Sequence, residues 1–456
     1  MKLMLSILIG GDILLALAAM YTSLFVRFGY HANVGKYFIS NYHIPFILLT
    51  TVLAVSYLIE IYTPGKNIKK RELFVNVVIV GAGSFIGLSI LYYLFPTIMF
   101  DRGLQILTIL FFAVYQYTWH SVFFYSRKQQ RFAQKVLVLG TGELAAKLRE
   151  IIQESRGYFQ LVGFVRCGNL LIGEQEIPAE QILGEADSLR DIALREDAGI
   201  IVIALSERRG VFPLRDALSC KLNGSEVLDT PSFYELSCGK LMLEQITPSW
   251  FIFSTGFRRP LFINIIKRLI DLFLAFWGLI LSIPIFLIVS VLIKLDSPGP
   301  LFFTQIRVGN KEHPFKLIKF RTMRQDAESA SGAVWATEND PRVTKIGRFM
   351  RKTRIDEIPQ LINVLKGEMS FVGPRPERPE FVEKLKAIIP YYSRRHFIKP
   401  GVTGWAQVRY PYGSSIEDAV EKLRYDLYYL KNLSPFLDTL IFFETIKVVL
   451  FGRGAR

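Results

Sequence analysis

The sequence predicts a membrane protein with three parts: a four-helix transmembrane bundle, a Rossmann-like α/β domain, and an α+β domain that carries a re-entrant membrane helix. Three observations support this fold class. Of 456 residues, 51% are hydrophobic, which is unusual for a soluble protein of this length. Four long apolar stretches fill the first third, and a glycine-rich strand–turn–helix pattern follows them. The predicted domains cover residues 1–126, 135–250 and 264–456.

The first third predicts four transmembrane helices, at roughly 4–26, 44–63, 73–96 and 103–124. Each stretch has about 20 residues, enough to cross a hydrocarbon core of ~30 Å. The loop 65–72 and the segment 125–135 are rich in Lys and Arg, so the positive-inside rule places both ends of the bundle in the cytoplasm. Asp12 lies within the first span. An intramembrane acid can be a proton or ligand site, but a satisfied interhelical hydrogen bond near the membrane edge is the favoured interpretation.

The middle segment predicts a parallel α/β domain. A strand runs into Gly140-x-Gly142-x-x-Ala145 and a helix follows, as in the first turn of dinucleotide-binding folds. Further strands are predicted at 158–165 and 199–205. Arg166 stands where an acid would bind ribose hydroxyls, and the domain has no Tyr-x-x-x-Lys pair. A regulatory or dimerising scaffold is therefore favoured over nucleotide binding, which stays the alternative.

Charge and cysteine content narrow the class of partner. The net charge of +15 suits a polyanionic ligand or an anionic membrane surface. Nucleic acid is a poor fit, because the basic residues flank apolar segments and no nucleic-acid-binding motif is present. The three cysteines, Cys167, Cys220 and Cys238, form no close pair, which indicates reduced cytoplasmic thiols without a disulfide or zinc site.

A fifth apolar stretch, 268–296, is long enough to span the bilayer. Lys and Arg flank it on both sides, so the positive-inside rule favours a helix that enters and returns on the cytoplasmic side. Pro284 removes a backbone donor near the centre, and Ser282 can bond a carbonyl there. We therefore expect a re-entrant helix–break–helix. The alternative is a fifth span that would place the rest of the chain outside the cell.

Two adjacent acids, Asp356 and Glu357, begin a predicted helix at about 356–366, whose apolar residues recur at helical spacing. Acids at a helix start complement its dipole by ~0.3–1 kcal/mol, and this is the simplest interpretation of the pair. Several cations are predicted to converge on it: two on one strand face, one between two prolines, and two around a Lys-Pro-Gly turn. They are Lys319, Arg321, Arg375, Arg394 and Lys399.

Four motifs in this region resemble the bacterial sugar transferases of the single re-entrant-helix class. They are Lys319-Phe320-Arg321-Thr322-Met323, Asp356-Glu357-Ile358-Pro359-Gln360-Leu361, Gly373-Pro374-Arg375-Pro376-Glu377 and Lys399-Pro400-Gly401-Val402-Thr403-Gly404-Trp405. The whole chain is similar to the long form of the family. Residues 247–260 are similar to its exopolysaccharide branch. The family often has Ser-Pro at the helix break, where this chain has Ser282-Ile283-Pro284.

The resemblance implies transfer of a sugar-1-phosphate from a UDP-sugar to polyprenyl (undecaprenyl) phosphate at the cytoplasmic face of the bacterial inner membrane, with release of UMP. It implies that Asp356 is the nucleophile, that Glu357 with Asp356 holds Mg²⁺, and that the nearby cations bind phosphates or uridine. It also implies a homodimer and a role in starting exopolysaccharide or other surface-glycan assembly.

Two other functions remain open from the sequence. A membrane-anchored sugar-nucleotide dehydratase would also join four spans to a dinucleotide fold, but it would need the Tyr-x-x-x-Lys pair. A non-enzymatic membrane scaffold of polymer export would carry a decayed transferase domain, which the intact acid pair and cations disfavour.

Overall fold

The computed structural model describes residues 2–29, 43–59, 61–62, 70–96, 101–126, 133–155, 158–167, 176–205, 212–257, 260–324, 340–411, 413 and 415–451. The chain divides into two compact units, Met1–Cys238 and Gly239–Arg456. Most of the two basic segments that oriented the bundle lies outside the described residues.

The N-terminal unit begins with four apolar helices, α1 Lys2–Phe28, α2 His43–Leu58, α3 Lys70–Leu94 and α4 Arg102–Ser126. This confirms the four predicted helical stretches. Three of them are long and apolar enough to cross a membrane, whereas α2 has 16 residues and a length of about 24 Å. Their outward side chains are largely apolar and exposed, as expected of helices that face lipid.

A polar cluster lies inside this bundle around Asp12, whose side chain is fully buried. Its Oδ2 accepts hydrogen bonds from Tyr62 at 2.7 Å and Gln116 at 2.6 Å, and its Oδ1 lies 3.1 Å from Nε2 of His120. Gln116 also donates to Ser56 at 3.1 Å. The interhelical hydrogen bonds expected of Asp12 are confirmed.

The rest of this unit is a five-stranded parallel sheet in the order β3-β2-β1-β4-β5. Its strands are β1 Gln134–Leu139, β2 Phe159–Arg166, β3 Ile182–Glu185, β4 Ile200–Ile203 and β5 Glu226–Asp229. Its helices are α5 Glu143–Glu154, α6 Leu189–Arg195, α7 Leu214–Leu222 and α8 Thr230–Cys238.

Gly140 explains the turn between β1 and α5. Its φ is +126°, and a Cβ there would lie 2.4 Å from the Ala204 carbonyl, so only glycine fits without moving the backbone. At the end of β2, Arg166 donates to Glu185 at 3.1 Å. The position where an acid would bind ribose therefore carries an internal ion pair.

The C-terminal unit contains the remaining elements. Its helices are α9 Pro248–Phe253, α10 Leu261–Asp296, α11 Lys345–Thr353, α12 Gln360–Lys366, α13 Pro379–Ile388, α14 Trp405–Arg409, α15 Ile416–Lys431 and α16 Pro435–Phe451. Its strands are β6 Phe302–Val308, β7 Pro314–Phe320, β8 Ser370–Val372 and β9 Gly401–Thr403. Strands β6 and β7 form an antiparallel hairpin, and Gly309 follows β6 directly.

Helix α10 covers the fifth apolar stretch as one helix, without the interruption expected at Pro284. A single proline removes one backbone bond and can be accommodated by a bend. The hydroxyl of Ser282 donates to the Leu279 carbonyl at 2.9 Å, whereas the carbonyl that loses its donor to Pro284 is that of Ile280. The side chain of Ser282 is thus buried and bonds a carbonyl of its own helix. That carbonyl is one residue before the Ile280 carbonyl, which is the one that Pro284 leaves without a donor.

Both halves of α10 pack on the same folded unit. In the N-terminal half, Asp271 accepts from the Phe371 amide at 2.8 Å, and Ala275 lies in a buried cluster with residues of β7 and α12. In the C-terminal half, Phe286 packs on Phe320 with ring centroids 4.7 Å apart, and Val289 lies in a buried cluster with residues of β7 and α11. The opposite face of α10 is a row of exposed aliphatic and aromatic side chains.

Candidate active site

The acid pair lies in a 3₁₀ turn, Ile355–Glu357, between α11 and α12. The predicted helix start at 356 is therefore wrong by four residues: α12 begins at Gln360, with Pro359 as its N-cap. Arg354, which precedes the turn, has a φ of +57°, and this left-handed residue ends α11 and redirects the chain. The predicted helix end is confirmed, because Gly367 caps α12 with a φ of +85°.

Asn363 joins α12 to β7 and so brings the acids next to Lys319. Its fully buried side chain accepts from the Ile318 amide at 3.1 Å and donates to the Lys316 carbonyl at 2.7 Å. The amide of Ile318 and the carbonyl of Lys316 lie on the unpaired edge of β7, and Asn363 supplies the hydrogen-bond partners that a neighbouring strand would otherwise provide. The register of β7 against the acid-bearing turn is thereby fixed at the residue that precedes Lys319.

Glu357 is the anionic centre of a cation cluster. Its Oε1 accepts from Lys319 at 2.9 Å and from Arg375 at 3.0 Å, and its Oε2 lies 3.6 Å from Arg354. Burial alone would raise the pKa of Glu357, but these three cations outweigh it and hold the pKa well below its ordinary value. Glu357 is therefore ionised throughout the neutral range.

Asp356 has a different environment, although it is adjacent. Its side chain is 7% exposed, and among the described residues it has no hydrogen bond and no ion pair within 4.0 Å. Burial raises its pKa, Lys319 opposes that shift, and the charge of Glu357 adds to it. The result is a carboxyl group that is more basic than an ordinary aspartate and available for new contacts.

Lys319 and Arg375 each reach the acids from a fixed backbone. Lys319 lies in β7, and burial lowers the pKa of its ammonium, a shift that Arg375 reinforces and Glu357 opposes. Arg375 lies between two prolines, donates to Gln407 at 2.9 Å through Nη1, and is about one-third exposed. Both residues can therefore bind an anion brought beside Asp356.

Three predicted cations lie elsewhere. Arg321 is buried, and its guanidinium donates to the carbonyls of Ser297 at 2.6 Å and Pro298 at 2.9 Å. The expected shared strand face with Lys319 does not occur, because β7 ends at Phe320. Arg394 is exposed and lies over the ring of Phe397 at 5.4 Å.

Lys399 lies at the opposite end of α12 from the acids. A Cβ at Gly367 would be 3.6 Å from the Lys399 ammonium and 3.4 Å from the guanidinium of Arg268. Arg268 caps the helix by donating to the carbonyls of Val364 and Leu365 at 2.7 and 2.9 Å. Burial and the neighbouring Arg268 lower the pKa of Lys399.

The structure also identifies residues around the site that sequence reasoning missed. They are Asp271, Arg354, Asn363, Gln407 and Asp426. Only Arg354 had a signal in the sequence, because it lies three residues before Glu357, a spacing that permits an ion pair across one turn. The others depend on contacts between residues that are distant in the chain.

The donor set is compatible with Mg²⁺. This ion commonly binds proteins through one or two carboxylates and completes its shell with substrate phosphates and water. The carboxylate of Asp356 and Oε2 of Glu357, the latter with only the 3.6 Å contact to Arg354, could supply those two ligands. No group of three or more His, Cys, Asp or Glu side chains suited to a metal occurs among the described residues, so substrate oxygens would have to complete the shell.

Comparison with known proteins gives one consistent family. The profile of the bacterial sugar transferases matches residues 262–452. A UDP-N-acetylgalactosamine-undecaprenyl-phosphate N-acetylgalactosaminephosphotransferase from Aeromonas hydrophila is 48% identical over 191 residues, which are 42% of this chain and 45% of that protein. The match thus spans less than half the length of this relative.

Two further relatives are matched over more of their length. A UDP-glucose:undecaprenyl-phosphate glucose-1-phosphate transferase from Xanthomonas campestris is 31% identical over 71% of this chain and 68% of its own. An exopolysaccharide production protein from Rhizobium leguminosarum is 42% identical over 42% of this chain and 98% of its own. The protein with the acid pair and cation cluster described above belongs to the bacterial sugar transferase family.

Proposed function

We propose that the protein transfers a sugar-1-phosphate from a UDP-sugar to undecaprenyl phosphate, releasing UMP, as the first step of exopolysaccharide or related surface-glycan assembly. The observation that carries the proposal is the contrast within the acid pair: Glu357 is held by three cations, whereas Asp356 is buried without a described partner. The names of the Aeromonas and Xanthomonas relatives support the substrate classes, and the name of the Rhizobium relative supports a role in exopolysaccharide production.

Asp356 acts as the nucleophile in this proposal. Its carboxylate oxygen attacks the β-phosphorus of the UDP-sugar, the bond from that phosphorus to the bridging oxygen breaks, and UMP leaves. A phosphate oxygen of the lipid then attacks the same phosphorus and breaks the bond to Asp356. The product is a lipid diphosphate sugar, and the carboxylate is regenerated.

The cation cluster lowers the electrostatic barrier to this attack. Two like unit charges 4 Å apart repel by ~4 kcal/mol at an effective dielectric of 20, and a diphosphate presents more than one charge. Lys319 and Arg375 border the acids and can bind phosphate oxygens. Mg²⁺, held by Asp356 and Glu357, would neutralise further phosphate charge. Chelation of divalent cations should therefore stop UMP release.

A re-entrant α10 would set the site at the level of a lipid phosphate. Both halves of α10 contact the same folded unit, so a helix crossing the bilayer would pull part of that unit into the hydrocarbon. Its exposed apolar face would then enter the inner leaflet and return. We also propose that the protein lies in the inner membrane with its active site facing the cytoplasm, that its parallel sheet forms a Rossmann-like domain, and that it is a homodimer. The last rests on family resemblance and is tested by the mass of the particle in detergent.

The topology is tested with single cysteines at the two ends of α10. Phe262→Cys and Pro300→Cys, both exposed positions, should be shielded from a membrane-impermeant thiol reagent in intact cells. Phe95→Cys, at the predicted outer end of α3, is the positive control. Labelling at position 300 with shielding at 262 would establish a fifth span instead.

The activity is tested by UMP release from UDP-N-acetylgalactosamine and UDP-glucose in nanodiscs that contain undecaprenyl phosphate. With sugar-labelled substrate and no lipid acceptor, label should accumulate on the wild-type chain and should be lost when the acceptor is added. Turnover without any protein-bound label would contradict the covalent step. No UMP from any sugar nucleotide would contradict the function.

A further inference from the structure

In the loop that carries Arg375, each of the four backbone carbonyls of residues 374–377 accepts a hydrogen bond. The carbonyls of Pro374 and Glu377 accept from the amides of Gly401 and Val308, each at 2.9 Å. Those of Arg375 and Pro376 accept from two arginine side chains, Arg395 and Arg307, each at 3.1 Å. Two prolines already fix φ at alternate residues, so the direction of the Arg375 side chain is set by these four bonds.

Arg395 is the more deeply buried of the two arginine donors. Its side chain is 5% exposed and forms an ion pair with Asp426 on α15 at 2.7 Å. It donates to the Tyr392 hydroxyl at 2.7 Å, and its guanidinium lies 5.2 Å from the centre of that ring. A buried guanidinium is stable only with such partners, so Tyr392 and Asp426 determine where its bond to the Arg375 carbonyl points.

We propose that Arg395, held by Asp426 and Tyr392, is a positioning residue that fixes Arg375 against Glu357 and the substrate phosphates. The inference rests on the proposed transferase function. Arg395 acts on the backbone of Arg375, while the side chain of Arg375 donates to Glu357 at 3.0 Å and to Gln407 at 2.9 Å. Displacement of a catalytic group by about 1 Å can cost on the order of 100-fold in rate.

The charge state of the pair is compatible with this role. Burial raises the pKa of Asp426 to about 6, and the neighbouring Arg395 opposes a larger shift. The carboxylate is therefore mostly ionised at neutral pH, where it pairs with Arg395. Glu377 and Lys422 also act on Asp426, in opposite directions, so the pair is embedded in a wider charge network.

A double-mutant cycle tests whether Arg395 acts through Arg375. UMP-release kinetics are measured for the wild type, Arg395→Lys, Arg375→Lys and the double variant. Lysine keeps the charge but cannot reach three acceptors at once. We expect Arg395→Lys to lower kcat roughly tenfold in the wild-type background and less than about twofold in the Arg375→Lys background, with an unchanged KM for undecaprenyl phosphate.

The matched control is Asp438→Asn, which removes the charge of a partly buried acid in the same unit, paired with Lys267 at 2.6 Å. The kcat per folded molecule should be reduced by Asp426→Asn and not by Asp438→Asn. If Arg395→Lys does not fold, Tyr392→Phe, which deletes one hydroxyl, replaces it in the cycle.

Three results would overturn the inference. The first is multiplicative loss, in which Arg395→Lys lowers kcat by the same factor in both backgrounds. The second is a kcat for Asp438→Asn that falls as far as that for Asp426→Asn. The third is a wild type that releases no UMP, which removes the proposed function and this inference together and is distinguished by the wild-type measurement alone.

Discussion

Two buried aspartates, one in the helical bundle and one in the C-terminal unit, have opposite environments. Asp12 accepts hydrogen bonds from Tyr62 and Gln116 and contacts His120, all within 3.3 Å. Asp356 is almost equally buried, and the described residues offer it no hydrogen bond and no close ion pair. Both side chains are removed from water, but only one is compensated.

In the proposed mechanism, this difference separates a structural acid from a reactive one. Removing a carboxylate from water costs several kcal/mol unless hydrogen bonds or cations replace the lost hydration. Around Asp12 the bundle supplies those bonds, so the acid fixes the helices and has little capacity left for a ligand. Around Asp356 the nearby cations bind Glu357 instead, so the oxygens of Asp356 remain available to a phosphorus atom or a metal.

The largest expected difference between substitutions of the two aspartates is in the rate of UMP release. Asp356→Asn should lower UMP release by at least about 10³-fold, or ~4 kcal/mol in the barrier, because the amide cannot form the phosphosugar bond. Asp12→Asn should leave kcat per folded molecule within about twofold, because its hydrogen bonds lie within the helical bundle. The measurement is single-turnover release of UMP with labelled sugar. Substantial turnover by Asp356→Asn would remove the nucleophile assignment.

The next effect concerns stability and Glu357. Glu357→Gln removes the charge that Lys319 and Arg375 share, and breaking a buried pair in this way costs about 3–5 kcal/mol of unfolding free energy. Thermal unfolding in detergent should show a large decrease. The double variant Lys319→Met/Glu357→Gln should recover part of the stability but no activity. A thermal midpoint for Glu357→Gln equal to the wild type would show that the cluster is hydrated and weak.

A smaller loss of stability is expected for Asp12→Asn. The amide oxygen can still accept from Tyr62 and Gln116, and the NH₂ group then faces Nε2 of His120. The bonds are no longer made to a charged carboxylate, and this loss costs about 1–3 kcal/mol. The matched control is Asp101→Asn, whose pair with Arg27 at 2.9 Å is about 40% exposed and is worth at most ~1 kcal/mol. Equal changes in the two variants would contradict the structural role of the buried cluster.

The sequence predicted those features that depend on local patterns. Apolar length identified the four helices of the bundle, and the glycine-rich turn identified the start of the parallel sheet, because hydrophobic periodicity and glycine conformation act over a few residues. The acid pair and Arg375 were identified by motif order, and the structure places Arg375 3.0 Å from Glu357. The exact start of α12 was not predictable, since a 3₁₀ turn and an α-helical turn have nearly the same side-chain spacing.

The sequence did not predict which partners the long side chains contact. Lys319 and Arg321 are two residues apart, but the strand ends between them and Arg321 turns to the Ser297 carbonyl. Arg394 and Arg395 are adjacent, and only Arg395 is buried. Its partner Asp426 is 31 residues away, on another helix. Rotation of a helix about its own axis decides such contacts, and one sequence does not specify it.

The smallest expected effect is a gain in stability when Asp356 loses its charge. The pKa of Asp356 is raised in the folded protein by burial and by Glu357, so the folded state holds a proton that the unfolded state, with a pKa near 3.9, has already released. Stability from this group is complete below that value and is lost as pH rises through the raised pKa. Asp356→Asn should therefore unfold later than the wild type at pH 7.5, and the difference should shrink as the pH falls.

Thermal scans of Asp356→Asn and the wild type across this pH range measure the gain. Asp340→Asn is the opposite control, because Arg342 lowers the pKa of Asp340 and its substitution should destabilise the protein at neutral pH. An inactive Asp356→Asn that is also less stable at pH 7.5 would mean that the carboxylate has a compensating partner in the folded state. The contrast with Asp12 would then disappear, because both acids would be held by the fold and neither would be left available to a phosphorus atom.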